Sequence, residues 1–172
     1  NTIRYLVDNK DLAFSVDVLK DIHRSIANKT LDNSEYEGKF RTDNSIYVMD
    51  NITGEIAHTP PDVAEIEGLL NGVCDFANES TSDPFIHPII KGIIIHFMLA
   101  FIHPFVDGNG RTSRSLVYWY LLKNGYWMTE YLSISRVIYK SKAQYEKAFL
   151  YTESDGFDLS YLILRNSLIP RL

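Results

Sequence analysis

The sequence predicts a mainly α-helical domain carrying one small β-hairpin. Three observations predict it. Apolar residues recur at helical spacing over 11–28 and again after Pro61; residues 88–102 are apolar on nearly every side; and two short β-prone runs flank a turn-forming cluster at 50–54.

The elements follow in order. Leu12, Val16, Leu19, Ile22 and Ile26 repeat with a helical period behind Asp11, a candidate N-cap, so 11–28 reads as an amphipathic helix that carries His23 and Arg24. Residues 28–44 are rich in Asn, Asp, Ser and Glu without a period and read as a long loop. The hairpin pairs 46–49 with 55–58. Pro61 suits the first position of a helix whose apolar residues are Val63, Ile66, Leu69, Leu70, Val73 and Phe76. The run from Pro88 to Ile102 is a central, buried helix, and Pro104 discourages its continuation. A further helix is expected from about Gly110 to Asn124, with Gly125 as its C-terminal cap, and others over 133–152 and 158–167.

Bulk properties bound the function. A chain of 172 residues with 45% apolar content supports one sizeable core, so a single domain over 1–172 is expected. A formal charge of −5 argues against a general nucleic-acid binder, which needs a basic face. Cys74, the only cysteine, cannot form an intrachain disulfide and fits a buried position in a reducing compartment such as the cytoplasm. The longest apolar stretch, 86–102, is interrupted by His87, Pro88, Lys91 and His96, so no membrane span is expected. The start at Asn1, without methionine, leads us to expect a missing upstream region.

The chemistry concentrates in residues 103–114. A histidine after a buried helix, a turn built from Asp107, Gly108, Asn109 and Gly110, and a new helix place unpaired amides and a positive dipole end beside an imidazole. Glycines let phosphate oxygens approach the backbone, and Arg111 and Arg114 add two guanidinium groups for a polyphosphate. Asp107 is a hard oxygen ligand suited to Mg²⁺. Each residue alone has a plainer role as core histidine, turn former or surface charge; their coincidence within twelve residues favours a site. His96 and His103, seven apart, lack the further ligands of a zinc site, and neither a P-loop nor a dinucleotide fingerprint is present.

This run resembles the signature of the Fic domain family, His-x-Phe-x-Asp/Glu-Gly-Asn-Gly-Arg-x-x-Arg, at His103, Phe105, Asp107, Gly108, Asn109, Gly110, Arg111 and Arg114. The helix with His23-Arg24, the segment Gly38-Lys-Phe-Arg41 and the hairpin are similar to the family's layout, with a core over about 10–150 and a helical extension over 151–172. The resemblance implies a Fic-type helical bundle with a hairpin flap, and an adenylyltransferase that moves AMP from ATP to a Ser, Thr or Tyr hydroxyl of a target protein. His103 would be the general base and Asp107 the Mg²⁺ ligand. Gly108, Asn109 and Gly110 would form the anion hole, and Arg111 and Arg114 would grip the β- and γ-phosphates. Ile46, Tyr47, Val48 and Met49 would form the flap that aligns the substrate segment, and Phe105 would anchor the loop in the core.

Rival enzymatic readings are removal of AMP, transfer of UMP or a related group, and kinase-like use of the nucleotide. The kinase-like relatives carry Asn-Lys-Arg where this chain has Asn109-Gly110-Arg111. A catalytically idle nucleotide-binding interaction domain is the rival from another class. Many family members are restrained by a helix bearing Ser/Thr-x-x-x-Glu-Gly/Asn, and none of the nine glutamates here sits in that pattern. The resemblance therefore implies an inhibitory helix upstream or on a separate antitoxin-like partner.

Overall fold

The computed structural model describes residues 2–50, 53–79, 84–131 and 134–166. Eight α-helices are present among them: α1 (Thr2–Asp8), α2 (Val16–Ala27), α3 (Ile66–Asn78), α4 (Pro88–Ile102), α5 (Asn109–Lys123), α6 (Ile134–Lys140), α7 (Lys142–Ser154) and α8 (Ser160–Asn166). One antiparallel hairpin joins β1 (Val48–Met49) to β2 (Ile56–His58). The mainly α architecture with a single hairpin agrees with the expectation from sequence. The chain forms two compact units that divide between Glu130 and Tyr131.

In the first unit α4 is the centre. Its residues Ile93, Ile95, Phe97, Leu99 and Ile102 are buried, and α3 and α5 pack against it. That explains why α4 reads apolar all round: it has no solvent face over most of its length. Pro88 occupies its first turn, where a missing N–H does no harm, and the Nδ1 of His87 accepts from the Ile89 N–H at 3.3 Å. The second wall is α2, whose Leu19 and Ile22 join Leu70, Leu116, Trp119 and Phe105 in one core.

Several boundaries differ from the expectation. The first predicted helix starts at Val16 because Ser15, not Asp11, caps it: the Ser15 Oγ accepts from the Val18 N–H at 3.2 Å. The chain before it forms α1, which sequence periodicity did not reveal, since Leu6 is its only fully buried residue among those described. Pro61 lies ahead of its helix; Asp62 and Glu65 form a reciprocal capping box over a 3-10 turn that leads into α3. The long loop 28–44 contains a 3-10 turn at Ser34–Tyr36 and ends in a bridge from Phe40 to Phe105. Gly125, with φ +84°, follows α5 as expected of a C-terminal glycine.

In the second unit the helix expected over 133–152 is two helices, parted at Ser141, and α7 and α8 pack together with Tyr151 and Tyr161 rings 5.6 Å apart. Ser167, the expected end of α8, lies outside the described residues. No described helix is long and apolar enough to cross a membrane.

Candidate active site

Residues 103–108 form a tight loop between α4 and α5, gripped from three directions. His103 closes α4 in the left-handed conformation, φ +48° and ψ +56°, with its N–H bonded to the Leu99 carbonyl at 3.1 Å. A β-carbon makes that conformation unfavourable by about 1 kcal/mol or more, so surrounding contacts must hold it. Phe105 next inserts into the core with no exposure. Asn109 then clamps it: its Oδ1 accepts the Phe105 N–H at 2.9 Å and its Nδ2 donates to the Phe105 carbonyl at 2.7 Å. Both bonds are buried, and together they fix the orientation of the amide.

The second grip comes from α2. The Gly38 N–H donates to Nδ1 of His23 at 2.9 Å, so the proton sits on Nε2, which donates to the Asp107 carbonyl at 2.9 Å. The imidazole stacks on Phe105, centroids 3.7 Å apart and planes within 7°. Gly108 passes directly beside it with φ +83°, and a β-carbon there would lie 3.1 Å from His23 Nε2. Glycine is thus required on two counts, backbone conformation and close approach.

The third grip is Arg41, 3% exposed, which bonds the loop through both its backbone and its guanidinium. Neither the role of His23 nor that of Arg41 was assigned from sequence. His23 lies at helical spacing with Leu19, Ile22 and Ile26, which is a legible signal for burial. Arg41 offers no such signal.

The candidate residues from sequence are brought together on α5 and its approach. Gly108 is the N-cap residue of α5 and makes no side-chain cap, and the N–H groups of Asn109, Gly110 and Arg111 precede the first intrahelical bond, Thr112 N–H to Gly108 carbonyl at 2.9 Å. The Asn109 side chain is committed to Phe105, so only its backbone can meet an anion. Asp107 is exposed; its Oδ1 accepts the Gly108 N–H and its Oδ2 pairs with Arg111 Nη2 at 3.1 Å. Arg111 also donates to the Thr30 hydroxyl at 2.5 Å. Arg114 lies beside Gly110 and has no hydrogen bond or ion pair among the described residues.

Electrostatically the site favours neutral imidazoles. Burial pushes His103 down to about 4, with His58 and Arg41 acting the same way, against the Ala100 carbonyl and Asp107. His96, buried beneath α5, is likewise pushed to about 4 by burial, and burial also lowers His23. The Nδ1 of His103 faces the Ala100 carbonyl at 3.3 Å; a carbonyl only accepts, so Nδ1 carries the proton and Nε2 keeps its lone pair. These three histidines are neutral when folded and take up protons near pH 6.5 when unfolded. Stability is therefore complete above about pH 6.5 and falls as pH drops toward 4, on the order of 3 kcal/mol for His96 alone. Urea unfolding midpoints at pH 8, 6 and 5 check this; a flat profile would refute it.

The hairpin stands over the end of α4. His58 Nε2 bonds the Phe101 carbonyl at 2.8 Å, which ties the base of β2 to the helix that carries His103. Of the expected flap residues, Val48 and Met49 pair with β2, while Ile46 and Tyr47 precede the paired segment. The Asp50 N–H bonds the Glu55 carbonyl at 2.8 Å. Backbone groups alternate along a strand, so the Val48 N–H faces β2 and the Met49 N–H faces the outer edge.

The comparisons with known proteins identify the family and the fold. The model of the Fic/DOC family matches residues 13–121. The chain is 35% identical over 121 residues to a protein named protein adenylyltransferase Fic from Aedes aegypti, covering 70% of this chain and 22% of that protein. It is 30% identical over 118 residues to the protein of the same name from Nematostella vectensis, covering 68% and 25%. Among solved structures, a Fic family protein from Desulfovibrio desulfuricans superposes with a TM-score of 0.71 at 20% identity, over 96% of this chain and 51% of that one. A Fic domain containing signaling protein from Bacteroides thetaiotaomicron gives 0.66 at 22% identity, over 97% and 62%. The chain thus spans a quarter or less of the length of these curated relatives and between 51% and 62% of these structures.

Proposed function

The chain belongs to the Fic/DOC family, and from that premise we propose that it is a protein adenylyltransferase moving AMP from ATP to a Ser, Thr or Tyr hydroxyl. The observation that carries this reading is the tautomer of His103. With its proton on Nδ1, the ring offers Nε2 as an acceptor on the loop that leads into the unpaired first-turn amides of α5. A hydroxyl is too weak a nucleophile at neutral pH without such a base.

In this reading Nε2 accepts the hydroxyl proton as the oxygen bonds the α-phosphorus. The bond from that phosphorus to the β-phosphate oxygen breaks, and pyrophosphate leaves. The amides of Asn109, Gly110 and Arg111 and the positive end of α5 stabilise the charge that develops on the phosphate oxygens. Arg111 and Arg114 bind the β- and γ-phosphates. The Asp107–Arg111 pair is exposed and of the kind worth roughly 0–1 kcal/mol, so a polyphosphate can displace it readily.

Asp107 also fits Mg²⁺. It is a single exposed carboxylate, and the described residues contain no cluster of three or more carboxylate, His or Cys ligands. Mg²⁺ commonly takes one or two carboxylates and completes its shell with phosphates and water. Bound there, the ion would neutralise charge on the α- and β-phosphates. The protein's part is to present the carboxylate from a loop fixed by His23 and Asn109.

Mass spectrometry of the chain and a cell lysate after incubation with ATP and Mg²⁺ tests the proposal. An AMP adduct on a hydroxyl side chain is expected. Another transferred group would replace AMP in the reading, and no adduct at all would favour an idle nucleotide-binding domain. The outer edge of the hairpin supplies a second test. Met49→Pro removes an edge-facing N–H that could pair with an extended substrate segment, whereas Val48→Pro breaks the hairpin itself. Met49→Pro should lower protein modification at least about tenfold with ATP affinity unchanged. Full activity would exclude strand pairing at this edge.

A further inference from the structure

Besides its bond to the Leu99 carbonyl, the left-handed His103 is held from outside its own segment. Its carbonyl accepts from Arg41 Nε at 3.0 Å, and the carbonyl of the following residue, Pro104, accepts the Arg41 backbone N–H at 2.8 Å. The same guanidinium reaches the other way. Nη1 donates to the Asp43 carbonyl and to Asn44 Oδ1, both at 3.1 Å, and Nη2 donates to the Pro61 carbonyl. Asn44 extends the connection, donating to Asp62 Oδ2 at 2.7 Å and accepting the Val63 N–H at 2.9 Å.

Residues 43–44 lead into β1 and Pro61 follows β2. One buried planar group therefore joins both ends of the hairpin to the peptide unit that orients the imidazole. Resting on the proposed function, we infer that Arg41 is a positioning residue: it transmits the placement of the hairpin, where a protein substrate would lie, to the orientation of His103. Arg41 touches neither substrate nor reacting atoms in this role.

Its chemistry suits the task. Only a guanidinium spreads donors over a fork wide enough for acceptors on three segments, and its planarity fixes their relative angle. An ammonium at the same depth keeps the charge and loses the fork. The charges of Asp62 and Asp43 act on Arg41 as well, yet all its side-chain hydrogen bonds go to three carbonyls and an amide oxygen, a set of fixed geometric points.

Arg41→Lys and Asn44→Ala test the inference, the second because it removes one acceptor while the arginine stays. Misplacing a catalytic group by about 1 Å lowers rates on the order of a hundredfold, so Arg41→Lys should reduce kcat for protein modification at least tenfold with ATP affinity within about twofold. Asn44→Ala should shift kcat in the same direction by a smaller factor. Added guanidinium ion should restore part of the loss in Arg41→Ala, which a general loss of stability would not allow.

Amide hydrogen exchange separates this inference from the proposed reaction. In Arg41→Lys and in Asn44→Ala, exchange should quicken together at the Asp50 and Gly54 amides of the hairpin and at the backbone amide of position 41, relative to core amides of α5. If the parent transfers no AMP but these amides respond together, the reaction is wrong and the linkage stands. If the parent transfers AMP and the hairpin and loop amides respond independently, or kcat is unchanged in both variants, the linkage is overturned.

Discussion

His103→Ala is expected to lower AMP transfer by roughly 10²- to 10⁴-fold, the usual contribution of a positioned general base. ATP affinity should remain within about twofold, because in the proposed reaction the imidazole acts on the hydroxyl and the nucleotide is held by the first turns of α5. The fold should survive as well. Alanine retains the β-carbon and so the same left-handed strain, and the bonds to Leu99 and Arg41 use only the backbone of residue 103. Single-turnover transfer and nucleotide titration on the same preparation make the comparison. Undiminished turnover would remove His103 from the chemistry, and loss of nucleotide binding would move it to the phosphates. The base should also be available well below neutrality, since burial holds the ring near 4; protonation by falling pH would switch it off. The acid limb of kcat/KM should therefore lie below pH 6.

Asn109→Ala is expected to have a large effect on stability. The amide satisfies both backbone groups of Phe105 in a buried site, and its removal leaves a buried N–H and a buried carbonyl without that partner. Two such groups correspond to a loss on the order of 2–4 kcal/mol. Asn109→Asp is the sharper probe. A carboxylate can still accept the Phe105 N–H but faces the Phe105 carbonyl with a second oxygen, so it should destabilise comparably and more severely at high pH. Thermal unfolding of both variants, with nucleotide affinity in parallel, checks this. A melting temperature equal to the parent's would show that the clamp is dispensable. The same device recurs at Asn78, which holds the N–H and carbonyl of Phe14 at 2.8 and 2.7 Å and so pins the approach to α2.

The family signature, the central helix and the hairpin were legible in the sequence because each is a local pattern. The all-round apolarity of α4, the turn chemistry at Gly108 and the capping signals around it are set by neighbours within a few positions. Even the burial of His23 was accessible, since helical spacing places it on the apolar face of α2. The sequence did not reveal α1, in which Leu6 is the one fully buried side chain among those described, nor that Ser15 would be chosen over Asp11 as a cap. Both depend on what the chain packs against.

What the sequence by itself determined is the set of candidate reacting groups and their order along residues 103–114. Only the tertiary structure decided how they are held. Asn109 reads as a turn residue or phosphate ligand until its side chain is seen clamping Phe105, because nothing in a one-dimensional pattern says which backbone groups are left buried and unpaired. Arg41 lies 62 residues from His103 in sequence and shares no period with it. The two meet because the hairpin folds back over the end of α4, and a buried guanidinium there must find carbonyls wherever the fold brings them, or go unsatisfied.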